Sequence, residues 1–406
     1  MPETFIVIGG GMIGTAAAFR LRAAGFDVIL IEPGPTEHAA SFGNAGHIAV
    51  EQVEPLSSAA TLTAAPGRLF ALGGPLDFRL RDIGFWGPWA KRYLAASRGR
   101  VFEDGTHALE ELMSRAVGAW SDMLMQAGVP DLMRADGHVA LWFDPRETEK
   151  RRLAWDNANV GSCRLRSLSQ DDLAAYGALM PGRPPMGGVA FEGTARLTSP
   201  QRVRDALTRA FIDAGGRRVA RRVASVAPDG LVRLDDGATL EGRVLVAAGV
   251  WSRRLMEGLG VFTPLVAERG YSIQIPSAWP DHLPTAVVEG QSMVLAPHAD
   301  GLRVTSFVEF ARPDSPPDPR KWRRLERQVA DLGFEVPADT RRWMGCRPTL
   351  PDYRPAIGVL PGGRVLYAFG HQHLGVTLSA VTAERIEMLA LGEAGDPRLR
   401  IQRFRD

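Results

Sequence analysis

The sequence predicts an α/β protein of two domains that interleave along the chain. Three observations predict it. The chain opens on a strand–glycine turn–helix–strand unit, "TFIVIGGGMIGTAAAFRLRAAGFDVILIE". A second apolar strand ending in small residues, "RVLVAAG", follows only far downstream. Alternating strand patterns then fill residues 265–310, ahead of a last strand–glycine–helix unit. Nucleotide-type units on both sides of a β-rich part require the chain to leave one sheet and return to it. The 406 residues suffice for two to three domains. With 48 basic against 46 acidic residues the net charge is +2, no field for nucleic acid. Two cysteines, Cys163 and Cys346, make no disulfide framework and fit a reducing compartment. No apolar run reaches the ~18 residues of a spanning helix, and no basic leader precedes the first strand. The expectation is a cytoplasmic protein, with contact at the inner-membrane surface left open.

In the opening unit, apolar residues 5–8 lead into Gly9-x-Gly11-x-x-Gly14, an Ala-rich helix to about residue 24, a stop at Gly25 and a strand at 28–31 ending on Glu32. Gly9 allows the tight turn, Gly11 lets backbone approach a pyrophosphate, and Gly14 lets the helix sit close on the sheet. The free N–H groups and dipole of the helix N-terminus favour the phosphate. Glu32 stands where an acid binds ribose hydroxyls. The motif by itself does not separate NAD from FAD. "SFGNAGHIAV", at 41–50, adds a second small-residue segment suited to close approach of a flat group, where an NAD fold more often runs straight to another helix.

Residues 68–100 mix Phe85, Trp86, Trp89 and Tyr93 with Arg79, Arg81, Lys91, Arg92, Arg98 and Arg100. A membrane-surface helix has this pattern, and so does a partly buried helix with a solvated basic face. "GTHALEELMSRAVGAWSDMLMQAG" reads as a helix closed by Gly128, and 138–143 as a strand. Thr198-Ser199-Pro200 carries cap and first-turn signals for a helix ended by Gly215. Runs at 219–226, 231–234 and 239–241, with Asp-Gly turns, predict a β-meander. A hairpin is expected at Asp300-Gly301, an amphipathic helix in "DPRKWRRLERQVADLG", and a last helix at about 376–391. The expected division is 1–75, 195–253 and 340–406 for the nucleotide domain, and 76–194 and 254–339 for the other.

"VIGGGMIG", "SFGNAGHIA", "VLVAAGVWS", "GCRPTLPDYRPAIG" and "GHQHLGVTLSAVTAERI" occur in this order over nearly the whole chain. With them the chain resembles the FAD-dependent D-amino acid oxidase/dehydrogenase superfamily. Within it, the chain is most similar to the bacterial D-amino acid dehydrogenase branch, which includes D-proline and hydroxy-D-proline dehydrogenases. The resemblance implies a Rossmann-like FAD-binding domain of the p-hydroxybenzoate-hydroxylase/glutathione-reductase type. It also implies a smaller substrate domain with a mixed, largely antiparallel sheet. It places Gly9, Gly11, Met12, Ile13 and Gly14 at the pyrophosphate and Glu32 at the adenosine ribose. Ser41, Gly43, Asn44, Ala45 and Gly46 pass along the flavin, and Val223 meets the adenine by its backbone. Ala248, Gly249 and Trp251 line the cofactor, and Gly370, His371, Leu374, Gly375, Val376 and Thr377 border the ring system. A helix starting after Gly375 would point its N-terminal amides at the end of the flavin that gains negative charge on reduction.

The substrate so implied is an α-amino acid. Arg347 grips its carboxylate as a bidentate fork, Tyr271 is a second carboxylate ligand, and His47 and His373 line the flavin or the substrate amine. Hydride passes from Cα to flavin N5 without a dedicated protein base, the imine hydrolyses to a 2-oxo acid, and a quinone or other carrier takes the electrons. FAD is expected to be noncovalent, although some sarcosine-oxidising relatives attach flavin through a cysteine in a segment comparable to that of Cys346. The pair His371-x-His373 invites a metal reading, but no acid or cysteine cluster near it in sequence completes a ligand set, so no metal is expected. The competing readings are a sarcosine, glycine or opine oxidase, an FAD-binding subunit of a larger electron-transfer complex, and an NAD-dependent dehydrogenase.

Overall fold

The computed structural model describes residues 3–34 and 39–404. Its first sheet has the strand order Arg217–Val219, Asp27–Ile31, Thr4–Ile8, Arg243–Val246, Val365–Phe369, Ala356–Val359. All neighbours are parallel except the last pair. Successive residues of Thr4–Ile8 serve opposite faces, as strand geometry requires. Phe5 and Val7 join a core with the helices Met12–Ala23, Gly99–Gln126, Pro200–Asp213 and Ser379–Ala390. Ile6 and Ile8 join another with the meander Val223–Val226, Leu231–Leu234, Thr239–Glu241 and the helix Ser252–Gly258. Cover on both faces is why these strands read as unbroken apolar runs.

The run at 219–226 is not one strand. Arg217–Val219 pairs in parallel with Asp27–Ile31, whereas Val223–Val226 pairs antiparallel with Leu231–Leu234. The chain changes partner between them through a turn closed by Arg221 N–H to Val219 O, with no glycine or proline to mark it in sequence.

The second sheet has nine strands. Its path runs Arg341–Thr349, Val266–Ile275, Gly301–Ala311, Met293–His298, Thr285–Val288, His138–Trp142, Gly187–Glu192, Arg164–Ser167, with Leu76–Phe78 beside Gly301–Ala311. It is mixed and largely antiparallel, as expected; the parallel pairs are Thr285–Val288 with His138–Trp142 and Leu76–Phe78 with Gly301–Ala311. The hairpin at Asp300-Gly301 is present. Although Arg341–Thr349 follows residue 340, it is the edge strand of this second sheet, in register Glu268↔Arg347 and Tyr271↔Met344. The chain then re-enters the first sheet at Ala356–Val359. In the segment 68–100, the helix Ile83–Ala96 buries Trp89 against the second sheet, where its Nε1 donates to Thr349 O. Among the described residues no helix is long and apolar enough to cross a membrane.

Candidate active site

The glycine turn is built as its spacing requires. Gly9 has φ +111°, and a Cβ there would lie 2.5 Å from the Ala247 carbonyl oxygen, so the 247–248 turn abuts it. A Cβ on Gly14 would stand 1.8 Å from Gly9 O. Gly11 is different. A Cβ there would meet only Ala39 Cβ, at 3.9 Å. The helix Met12–Ala23 that it caps has no side-chain cap, and Met12 N donates to Ser41 Oγ at 3.3 Å. Glu32 accepts from Gly10 N at 2.5 Å. Burial raises its pKa, opposed by that amide and by the charges of Arg204 and Arg218. Val223 opens the meander on this side, and a Cβ on Gly249, at φ +57°, would have nothing within 4 Å among the described residues. Ala248 is partly buried, while Trp251 is 52% exposed. An open glycine at an uncapped helix start, an acid at the end of the second strand and an open turn beyond the third strand fit a dinucleotide.

The segment 41–47 crosses from this turn to the second sheet. Gly43 is pressed against Trp343, whose ring a Cβ would meet at 2.0 Å; the same ring covers Gly345. Asn44 Oδ1 accepts from Gly46 N at 2.8 Å, a local turn rather than an outward contact. Arg303 Nη1 holds the carbonyls of Phe42 and Asn44, and the Ala45 carbonyl bonds His298 Nε2. Thr377 closes the far side: its Oγ1 accepts from Ala49 N at 3.1 Å and donates to His47 O at 3.3 Å.

The stretch at 370–377 differs from expectation. The last α-helix begins at Ser379 and not near residue 376; a 3-10 turn, Gln372–Leu374, and a further turn precede it. Trp120 Nε1 donates to Val376 O, the Ser379 hydroxyl to Gly375 O, and Leu378 N to Leu374 O. Leu374 and Val376 are buried in the core. The two histidines part. His371 is 2% exposed with Nε2 on Thr382 Oγ1 at 3.0 Å, and burial lowers its pKa to about 3. His373 has Nε2 on Gln52 Oε1 at 2.5 Å. Burial lowers its pKa to about 4, and Glu268 and Arg347 are close enough for their charges to act on it in opposite directions.

The strand that carries Arg347 packs on the turn that carries His373, bridged at Thr349↔His371. Arg347 Nη1 donates to Glu268 Oε1 at 3.1 Å and to Phe307 O at 3.2 Å, and the guanidinium lies across Gly270, where a Cβ would meet Nη2 at 2.2 Å. Among the described residues, its Nη2 and Nε make no hydrogen bond. Glu268, 2% exposed, also accepts from Thr349 Oγ1 and Tyr353 OH. Tyr271 is not brought to this group. Strand alternation turns it to the other face, where its hydroxyl donates to Glu309 at 2.7 Å and accepts from Arg269 Nη2 and Asp318 N. The expectation that it binds the carboxylate beside Arg347 is corrected by that register. Cys346 faces the same way as Arg269, with Sγ on Pro313 O at 3.6 Å. Burial pushes the thiol up to about 11.

Glu268, Phe307, Tyr353 and Gln52 are the residues sequence reasoning missed. Among the described residues, three of the four non-glycine positions with positive φ belong here: Phe307 at +67°, Tyr353 at +53° and Gln372 at +46°. Gln372 Nε2 donates to Tyr353 O. Such strain concentrates at functional sites, but only coordinates display it.

A nucleotide turn and a half-buried arginine on a facing sheet, joined by one close-packed segment, fit the class of dinucleotide-dependent oxidoreductases. The family model described as DAO, FAD dependent oxidoreductase, matches residues 4–388. The chain belongs to that family and is FAD-dependent, which sets aside the NAD reading. It is 30% identical over 413 aligned positions to a D-amino-acid oxidase of Bradyrhizobium diazoefficiens, covering 97% of this chain and 96% of that protein. Its fold is shared with glycine oxidase from Geobacillus kaustophilus, at TM-score 0.70 and 18% identity over 100% of both chains. It is shared also with L-proline dehydrogenase from P. horikoshii, at TM-score 0.70 and 16% identity over 100% of this chain and 98% of that one.

Proposed function

We propose that the protein oxidises a D-amino acid at Cα, with D-proline or cis-4-hydroxy-D-proline among its candidate substrates, and hands the electrons to a quinone or carrier protein. The observation that carries this reading is Arg347, half-buried on the second sheet, with one edge held and the other making no hydrogen bond among the described residues. FAD, when bound, supplies the two-electron acceptor. Glu268 and Phe307 O fix Nη1, so the remaining edge meets a carboxylate in a set orientation. The Gln52 carbonyl accepts from His373 Nε2–H, which leaves Nδ1 with a lone pair for the substrate's amine. Burial keeps that imidazole neutral down to about pH 4, so it adds no charge that would repel an ammonium. The Trp343 ring lies over Gly43 and Gly345, and Tyr353 OH steadies Glu268 behind Arg347. The far-side position of Cys346 supports noncovalent FAD. Exposed Leu72, Leu80, Ile83 and Leu94 beside Arg79 and Arg81 support an acceptor reached at a membrane surface.

The test is anaerobic bleaching of the purified flavoprotein. D-proline, cis-4-hydroxy-D-proline and other D-amino acids are compared with their L forms, glycine, sarcosine and opines. Bleaching by D-amino acids with turnover of an artificial dye supports the reading. Bleaching only by L forms, or only by glycine, sarcosine or opines, overturns the substrate; no dye turnover by the isolated chain points to a subunit of a larger complex. Arg347→Lys loses the fork and is expected to raise the substrate concentration for half-bleaching by at least about tenfold.

A further inference from the structure

Beside the substrate pocket, three further side chains converge. They are His47, Glu51 and His138, the last at the head of the strand His138–Trp142. One ligating atom from each lies within 4.8 Å of the other two. Glu51 is 7% exposed and His138 3%. The hydrogens around them can be assigned. The Thr194 hydroxyl donates to Phe191 O at 3.3 Å. It has only one hydrogen, so at 3.0 Å it accepts from His138 Nδ1. His138 Nε2 is then a bare lone pair, 3.8 Å from Glu51 Oε1. Oε1 accepts from Gln52 Nε2 at 3.2 Å. Glu51 Oε2 and His47 Nε2 are buried and have no hydrogen-bond partner among the described residues.

His138 Nε2 and the Glu51 carboxylate thus face each other as acceptors, desolvated, with the unpartnered His47 Nε2 beside them, a costly arrangement unless a proton or a cation joins them. Two imidazole nitrogens and one carboxylate are the donor set of Zn²⁺ and similar ions, with a fourth position left open. The Thr194 hydroxyl on His138 Nδ1 is the outer hydrogen bond such a ligand carries. The His138 ring is also fixed by stacking on Phe191, centroids 4.2 Å apart and 6° from parallel. Metal–ligand bonds of about 2.0–2.2 Å set ligand atoms roughly 3.5 Å apart, so the trio closes by about an ångström, within reach of small side-chain rotations. The other acidic group of this kind, Asp77, Glu309 and Asp318, is already filled by Lys321 Nζ at 2.5, 3.0 and 3.3 Å.

We propose that His47, Glu51 and His138 bind one divalent transition-metal ion, tying the 41–51 segment to the second sheet. This site is independent of the amino acid reading. The test uses the FAD-loaded protein, stripped of metal by dialysis and then equilibrated with Zn²⁺, with zinc counted per flavin. One Zn²⁺ per chain is expected, with a higher melting temperature. Glu51→Gln, nearly the same shape, is expected to weaken binding by more than about tenfold and to abolish the zinc-dependent shift in melting. His138→Gln serves the same purpose if Glu51→Gln fails to retain flavin. No stoichiometric zinc in the wild type, or equal zinc binding by a folded Glu51→Gln variant, overturns the proposal. So does a carboxylic-acid C=O infrared band, lost in Glu51→Gln, in a wild type that takes up no zinc: Glu51 would then be joined by a proton.

Discussion

The turns at residues 9–14 and 370–375 both carry paired glycines, and those glycines stand in different surroundings. In the first, the chain's own backbone sets the demand: a Cβ on Gly14 would lie 1.8 Å from Gly9 O, and one on Gly9 2.5 Å from Ala247 O. In the second, Gly370 at φ +80° is pressed by the Leu350 side chain, 2.5 Å from its Cβ position. Gly375 has an ordinary negative φ and only His371 Cβ, at 3.7 Å, and Gln372 O, at 3.9 Å, within contact. Among the described residues nothing demands glycine at 375, and its expected place beside FAD is what a larger side chain there would test. A glycine can be required by geometry within the fold or kept for a ligand, and the distinction is measurable.

The largest expected effect is at the first turn. Gly14→Val drives side chain into backbone, at a cost on the order of 4 kcal/mol or more; folded yield and flavin absorbance should both collapse. A well-folded Gly14→Val variant that merely binds FAD less tightly would erase the contrast between the turns.

Next comes the buried His371 of the second turn. Its folded pKa of about 3 lies below the unfolded value of 6.5. Between these values the unfolded chain holds one more proton, so stability falls as pH drops through the window. The slope is about 1.4 kcal/mol per pH unit, or roughly 5 kcal/mol across it. His371→Gln should remove one proton's worth of that slope in urea unfolding followed from pH 7 to 4; an unchanged slope would show that the imidazole titrates in the folded state.

Gly375→Val should leave the stability of the FAD-free protein within about 1 kcal/mol while weakening FAD binding at least about tenfold, or ~1.4 kcal/mol. Flavin release measured alongside melting of the apoprotein separates the two. The smallest effect concerns the scaffold of the first turn. Ser199 caps Pro200–Asp213, its Oγ accepting from Arg202 N at 3.3 Å, and that helix joins the core that Met12–Ala23 also enters. Ser199→Ala should cost about 1 kcal/mol in melting experiments and leave FAD affinity unchanged.

Much of the fold was legible because its signals are local. Ser199-Pro200 start a helix, Asp300-Gly301 turn a hairpin, and the 4–32 unit carries its glycines at the spacing its own turn needs. The failures are non-local. The run at 219–226 changes partner with no punctuation in sequence. The last helix starts late, after a 3-10 turn at 372–374 and a further turn whose Val376 carbonyl meets Trp120, far away in the chain. Tyr271 and Glu268 share one short segment, yet only Glu268 faces Arg347, since residues three apart on a strand point to opposite faces.

By itself, then, the sequence determined the nucleotide turn and the apolar strands buried on both faces, because backbone sterics and residue period act over a few positions; Arg347 stood out as a candidate anion ligand only through the family resemblance of its motif. Tertiary structure alone decided which neighbours Arg347 keeps, that His371 and His373 part company, and that His47, Glu51 and His138 meet. Those outcomes depend on how strands far apart in the chain pair in register, and a shift of one residue would reverse each of the faces involved.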